Sequence, residues 1–172
     1  MSDSFEFDPV DWITAGAIGE PGRRTFYLQV RQGTELVALV VEKAQVAALA
    51  QLAQDLLGQV GVSVLPDDLD EAAMRLVEPV LESWRAGTMS LGMDEDGTRF
   101  LLEAEEITDE GDEDGASARF WMSRDQVVAL AAHAAYAVEA GARERCRYCG
   151  RPIEAEGGHV CPAMNGHGRL TV

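Results

Sequence analysis

Cysteine is absent from the first 145 residues of this 172-residue chain, and lysine occurs once, as Lys43. The three cysteines, Cys146, Cys149 and Cys161, are an odd number crowded into the tail, so a closed disulfide framework is excluded and reduced thiols are expected. Positive charge is scarce: 14 Lys and Arg face 30 Asp and Glu, a net charge of -16. A body so acidic is a poor general nucleic-acid binder, because phosphate contacts need clustered Lys and Arg. No apolar run approaches the ~20 residues that a membrane span requires. The opening Met1 to Glu6 also lacks the basic and apolar regions of an export signal, so a cytoplasmic protein is expected. What is present is globular composition, 47 % hydrophobic. A chain of this length makes one domain, or one domain with an appendage. It can bury roughly 70 % of its unfolded surface, so it needs neither metal nor disulfide to fold as a whole.

Periodicity divides the chain into elements. Residues 11–18 read as a strand, and Glu20-Pro21-Gly22-Arg23 as a tight turn with Gly22 supplying a positive φ. Residues 24–31 then alternate, with Phe26, Leu28 and Val30 on one face, and residues 35–41 form a β-branched run. From Lys43 to about Val60 the period becomes helical, with Val46, Leu49, Ala53 and Leu56 on one stripe. The unit, three strands and a helix, is read a second time. Gln-Val-x-Ala-Leu-Ala occurs in both helices, 81 residues apart, whereas Phe26 matches Phe100 at 74. The seven extra residues fall in the acidic stretch from Thr108 to Gly115, where a loop tip tolerates insertion. Between the units, Leu69 to Val77 reads as a short helix. The second unit has a first strand over 79–93, a hairpin turn at 94–97 and a helix capped by Ser123 and stopped by Gly141. The expected class is α+β: two repeated β-β-β-α units, at about 10–60 and 79–141, forming an antiparallel sheet with helices packed on it. That body covers 1–142, and residues 143–172 form a small C-terminal zinc ribbon.

The chemistry concentrates in that tail. Cys146-x-x-Cys149 followed by Gly150 places two thiolates on one side of a tight loop, and His159-x-Cys161 adds an imidazole and a third sulfur. Three sulfurs and one nitrogen make a closed tetrahedral set suited to structural zinc, with no open position for a catalytic water. His159 is the favoured fourth ligand and His167 its rival. A redox pair would follow a strand and open a helix, which Pro152 and the following glycines oppose. The tail from Gly141 carries five arginines and three glutamates, a net of +2. Arg143, Arg145, Arg147 and Arg151 around Tyr148 therefore give it the one rim that could meet nucleic acid, although pairing with the acidic body is the simpler use.

Other motifs read as structure. The glycine-rich run 15–24 ends in two arginines, but no helix follows to complete an anion loop. The acids of 110–115 mimic a calcium loop until Trp121 stands where the closing Glu belongs. His133 has no Ser, Cys or acid at helical spacing and reads as a packed histidine.

The segments Asp8 to Gly19 and Gly22 to Gln29, with the ending Cys146-x-x-Cys149-Gly150-Arg151-Pro152 and Gly158-His159-Val160-Cys161-Pro162, resemble the domain-of-unknown-function 3090 family. The resemblance spans nearly the whole chain. It implies bacterial, chiefly actinobacterial, cytosolic proteins with internal repeats and no assigned activity. It adds support for the architecture and the cysteine cluster, and no mechanism.

Two functions follow. The favoured one is a non-enzymatic interaction or regulatory module, an acidic body with a zinc ribbon that docks a protein partner. The alternative is an enzyme or small-anion-binding protein with a pocket between the repeats, lined by Arg24, Tyr27, Arg31 and Arg99. Convergence of those four side chains would favour it.

Overall fold

The computed structural model describes residues 2–20, 22–108, 115–140, 146–149, 159–164 and 169–170. Strands β1 (Phe5–Phe7), β2 (Trp12–Ile18), β3 (Thr25–Gln32) and β4 (Glu35–Val41) precede helix α1 (Lys43–Gln59). Strands β5 (Trp84–Met93), β6 (Arg99–Glu106) and β7 (Ser117–Ser123) precede helix α2 (Arg124–Ala140). The alternation expected of β3 buries Phe26, Leu28 and Val30 in the core. The opposite face of the same strand is also covered, since Tyr27 and Gln29 are buried. Turns sit where glycine permits them. Gly22 has φ 85°, and the amide of Arg23 donates to the Glu20 carbonyl at 2.9 Å. Gly97 has φ 64°, and a Cβ there would lie 2.4 Å from Cγ1 of Val60.

These seven strands form one sheet, in the order β1-β7-β6-β5-β4-β3-β2. The sheet is mixed, which corrects the antiparallel expectation: β4 pairs with β5 in parallel, as β1 does with β7. Parallel neighbours need a long crossover, and α1 with the segment after it provides one between β4 and β5. Strand β1 has no counterpart in the sequence reading. It closes the sheet: β1 and β2 stand at opposite ends of the strand order, yet only residues 8–11 separate them. Within that link the Val10 amide donates to Trp121 of β7 at 2.9 Å, and the next amide, of Asp11, to Arg31 of β3 at 2.8 Å. The sheet therefore curls until both of its ends meet one stretch of chain.

The two helices pack against each other, α1 also against β5 and α2 against β2. Each begins with a glutamine that reaches back to its cap. The Glu42 amide donates to Gln45 Oε1 at 2.7 Å, and the Ser123 amide to Gln126 Oε1 at 2.9 Å. The Ser123 hydroxyl accepts from the Gln126 amide at 3.3 Å, completing a capping box. Both glutamines then clamp the other half. Gln45 Nε2 donates to the carbonyls of Ala86 and Gly87 at 3.2 and 2.7 Å, and Gln126 Nε2 to those of Val10 and Asp11 at 2.9 and 3.4 Å.

The short helix expected over 69–77 is replaced by a 3-10 turn at Pro66–Asp68 and one turn closed by Met74 on Asp70. The reason lies in the sheet. Trp12 Nε1 donates to the Ala73 carbonyl, Thr14 Oγ1 to that of Met74 and Gln29 Nε2 to that of Val77, while Gln29 Oε1 accepts from the Val77 amide. Backbone groups held by sheet side chains cannot also close a helix. The segment instead lies over the outer face of β2 and β3, with Leu76 against Gly16. Likewise β5 begins at Trp84 rather than residue 79, since Pro79 has no amide to give a ladder. The tip of the acidic loop, 109–114, and the helix stop Gly141 lie outside the described residues. Among the described residues, no helix is long and apolar enough to cross a membrane.

Candidate metal centre

Cys146 enters a tight turn that carries Arg147, Tyr148 and Cys149, and Cys161 leads into a 3-10 turn at Pro162–Met164. The three Sγ atoms lie within 4.8 Å of one another. Cys146 and Cys161 are buried, Cys149 is partly exposed, and none of the three is in a disulfide. The sulfurs of Cys146 and Cys161 are 3.6 Å apart. That is no disulfide; it approximates the edge of a tetrahedron with metal–sulfur bonds of about 2.3 Å.

The backbone prepares the sulfurs for negative charge. Amides of Tyr148 and Cys149 donate to Cys146, and this brings its thiol down to about 6, the Tyr148 amide contributing most. Burial pushes the Cys161 thiol up, and its hydrogen bond with Cys146 adds to that, although the Ala163 amide pulls the other way. Without a metal these contacts favour the thiolate on Cys146 and the protonated thiol on Cys161. A metal ion would displace that proton and stabilise all three thiolates, as metal binding to cysteine does generally. The donor set fits a thiophilic metal. His159 lies in β8 (His159–Val160), whose backbone pairs with β9 (Arg169–Leu170). The side chain of His159, the whole of His167, and Arg143, Arg145 and Arg151 lie outside the described residues. Arg147 lies 4.9 Å from the centre of the Tyr148 ring.

The four residues expected to gather an anion do not converge. Arg24 immediately precedes β3, and Arg31 lies near its far end. Tyr27 donates to Glu82 at 2.7 Å, burial and that carboxylate raising its phenol pKa. Arg31 lies over Trp12, and Arg99 lies over Trp121 and pairs with Asp8. Such cation–ring contacts satisfy a guanidinium locally.

His133 has partners that helical spacing alone did not reveal. Its Nδ1 lies 2.9 Å from Thr14 Oγ1, whose proton goes to the Met74 carbonyl at 2.6 Å, so the geometry assigns the shared proton to the histidine. That excludes histidine as the base for this hydroxyl. The ring stacks on Tyr136 at 6.2 Å, and Tyr136 is hydrogen-bonded to Glu71, which raises its pKa. Tyr136, three residues on, was the signal available; Glu71 comes from the intervening segment and gave none. Burial lowers the pKa of His133 below 6.5, opposed by the Ala15 carbonyl and the charge of Glu71. The unfolded chain therefore binds this proton first, and stability falls as pH drops below about 6.5. In His133→Gln, thermal unfolding between pH 7 and 5 is expected to lose that part of the slope. An unchanged slope would show that His133 titrates as in the unfolded chain.

The comparisons add a family and no activity. No curated protein and no solved structure matches the chain. The family described as protein of unknown function (DUF3090) matches residues 5–161, from β1 to the last cysteine of the cluster. The chain belongs to the DUF3090 family.

Proposed function

We propose that the chain is a zinc-binding interaction or regulatory module of the cytoplasm, in which a structural zinc ribbon docks a protein partner and no reaction is catalysed. The observation that carries this is the approach of three sulfurs to within 4.8 Å, with backbone amides donating to two of them. Cys146, Cys149 and Cys161 would hold the zinc with His159, or with His167 in its place. A four-ligand site is closed, so the metal organises the tail and offers no water for chemistry.

The body carrying the ribbon is a duplication. Its support is the pairing register: Phe26 opposes Val41 as Phe100 opposes Met122, and Leu28 opposes Leu39 as Leu102 opposes Phe120. The same two spacings, 74 and 81, that separate the sequence matches thus relate the paired residues. The equivalent clamps of Gln45 and Gln126 agree with it.

Purified under reducing conditions, the protein is expected to show one zinc per chain by native mass spectrometry, with the metal lost in Cys149→Ser. Metal-free chains from a zinc-replete host would overturn the reading.

A further inference from the structure

The strand register makes one corner of the first half comparable with its counterpart in the second. Thr25 takes the place of Arg99, Val40 of Trp121, and Arg85 of Asp8, because Trp84 pairs with Leu39 as Phe7 does with Phe120. In the second half an indole occupies the corner and a carboxylate pairs with its first arginine. Arg99 lies 4.5 Å from the Trp121 ring centre and pairs with Asp8. Arg124, at the start of α2, donates to the Gly97 carbonyl at 2.7 Å. In the first half small side chains replace the indole and an arginine replaces the carboxylate. What remains is an open cleft of about 390 Å³ lined by Arg24, Lys43 and Arg85, among others.

These three cations come from the residue before β3, the start of α1 and the start of β5. They include the only lysine of a chain with 14 basic residues and a net charge of -16. One carboxylate, Glu42, lines the cleft, and Arg85 Nη1 holds it at 2.6 Å. Among the described residues, Arg24 Nε is buried without a partner, as is Arg124 Nε in the second half. Concentrating scarce positive charge around a cavity raises the free energy of the empty state, and an anion relieves it.

We infer that this cleft binds a small phosphate-bearing molecule. A phosphate monoester is close to a dianion at neutral pH and offers three acceptor oxygens, which suits three cations from three directions. Guanidinium groups meet such oxygens in pairs, and lysine adds a point charge. The volume suits a small metabolite. The acidic surface elsewhere opposes a polyanion or an anionic membrane, which would have to approach it as well. This site is independent of the metal centre.

Titration calorimetry of the full chain with inorganic phosphate, at ionic strength held constant with sodium chloride, tests it. Saturable binding of one phosphate per chain is expected. Lys43→Ala and Arg85→Ala should each weaken it about tenfold, the scale of a lost charge-assisted hydrogen bond. Glu42→Gln, by freeing Arg85, should tighten it, and Arg31→Ala should leave it unchanged. Amide shifts in the unsubstituted protein provide a readout free of folding effects: Thr25, Lys43 and Arg85 should move together. Non-saturable binding, equal weakening by Arg31→Ala, or shifts confined to other residues would overturn the inference.

Discussion

Adding a tight zinc chelator to the folded protein is expected to unfold the chain from about Cys146 onward and to leave the α+β body standing. Structural zinc contributes roughly 10 kcal/mol of apparent binding free energy in isolated finger peptides, and three clustered thiols without metal have no comparable substitute. The body is expected not to depend on them: among the described residues its apolar cluster runs from Phe7 in β1 to Ala134 in α2 and includes none from the tail. Hydrogen exchange read by mass spectrometry separates the two responses: amides around Cys146, Cys149 and Cys161 should exchange rapidly after chelation, while those of β3, β6 and α2 keep their protection. If protection collapses across the whole chain, the division at residue 142 is wrong and the cluster belongs to the body's cooperative unit.

The largest effect in the body is expected from Phe100→Ala. Phe100 is fully buried in β6, opposite Met122, and Phe120 beside it is equally enclosed. Truncating such a ring costs about 3–5 kcal/mol, the lost transfer energy plus the cavity left behind. Domains have only about 5–15 kcal/mol in total, so the midpoint should fall by about 10 °C. Urea and thermal unfolding would measure this, with Leu81→Ala as control, because Leu81 is 79 % exposed. A loss below about 1 kcal/mol would mean that neighbouring side chains collapse into the space.

Local patterns were legible in the residues, and non-local pairings were not. The strands at Trp12–Ile18, Thr25–Gln32 and Glu35–Val41 and both helices have periods that a short window contains. The Ser123 cap was readable because its partner is three residues away. Strand β1 is only three residues long, and its parallel partner β7 lies more than a hundred residues on, so no window holds both. Residues 69–77 read locally as a short helix. In fact the segment is flattened by Thr14 and Gln29, whose reach from the sheet no local pattern encodes. The same distinction governs the sites. Cys146 and Cys149 lie within one turn, and their chemistry follows from their spacing. The cations of the cleft are distant in sequence and meet only through register. Of the four residues first considered for an anion, Arg24 lines it, while Lys43 and Arg85 were overlooked.

The reciprocal glutamine clamps have a consequence for how the halves could live apart. Gln45 satisfies carbonyls at the start of the second half's first long strand, and Gln126 does the same just ahead of the first half's. Each helix therefore finishes a strand that its own half cannot finish. Cut in the segment between them, the two pieces would resemble the strands of a zipper: incomplete singly, complementary together, and able to regain the native arrangement only by finding each other.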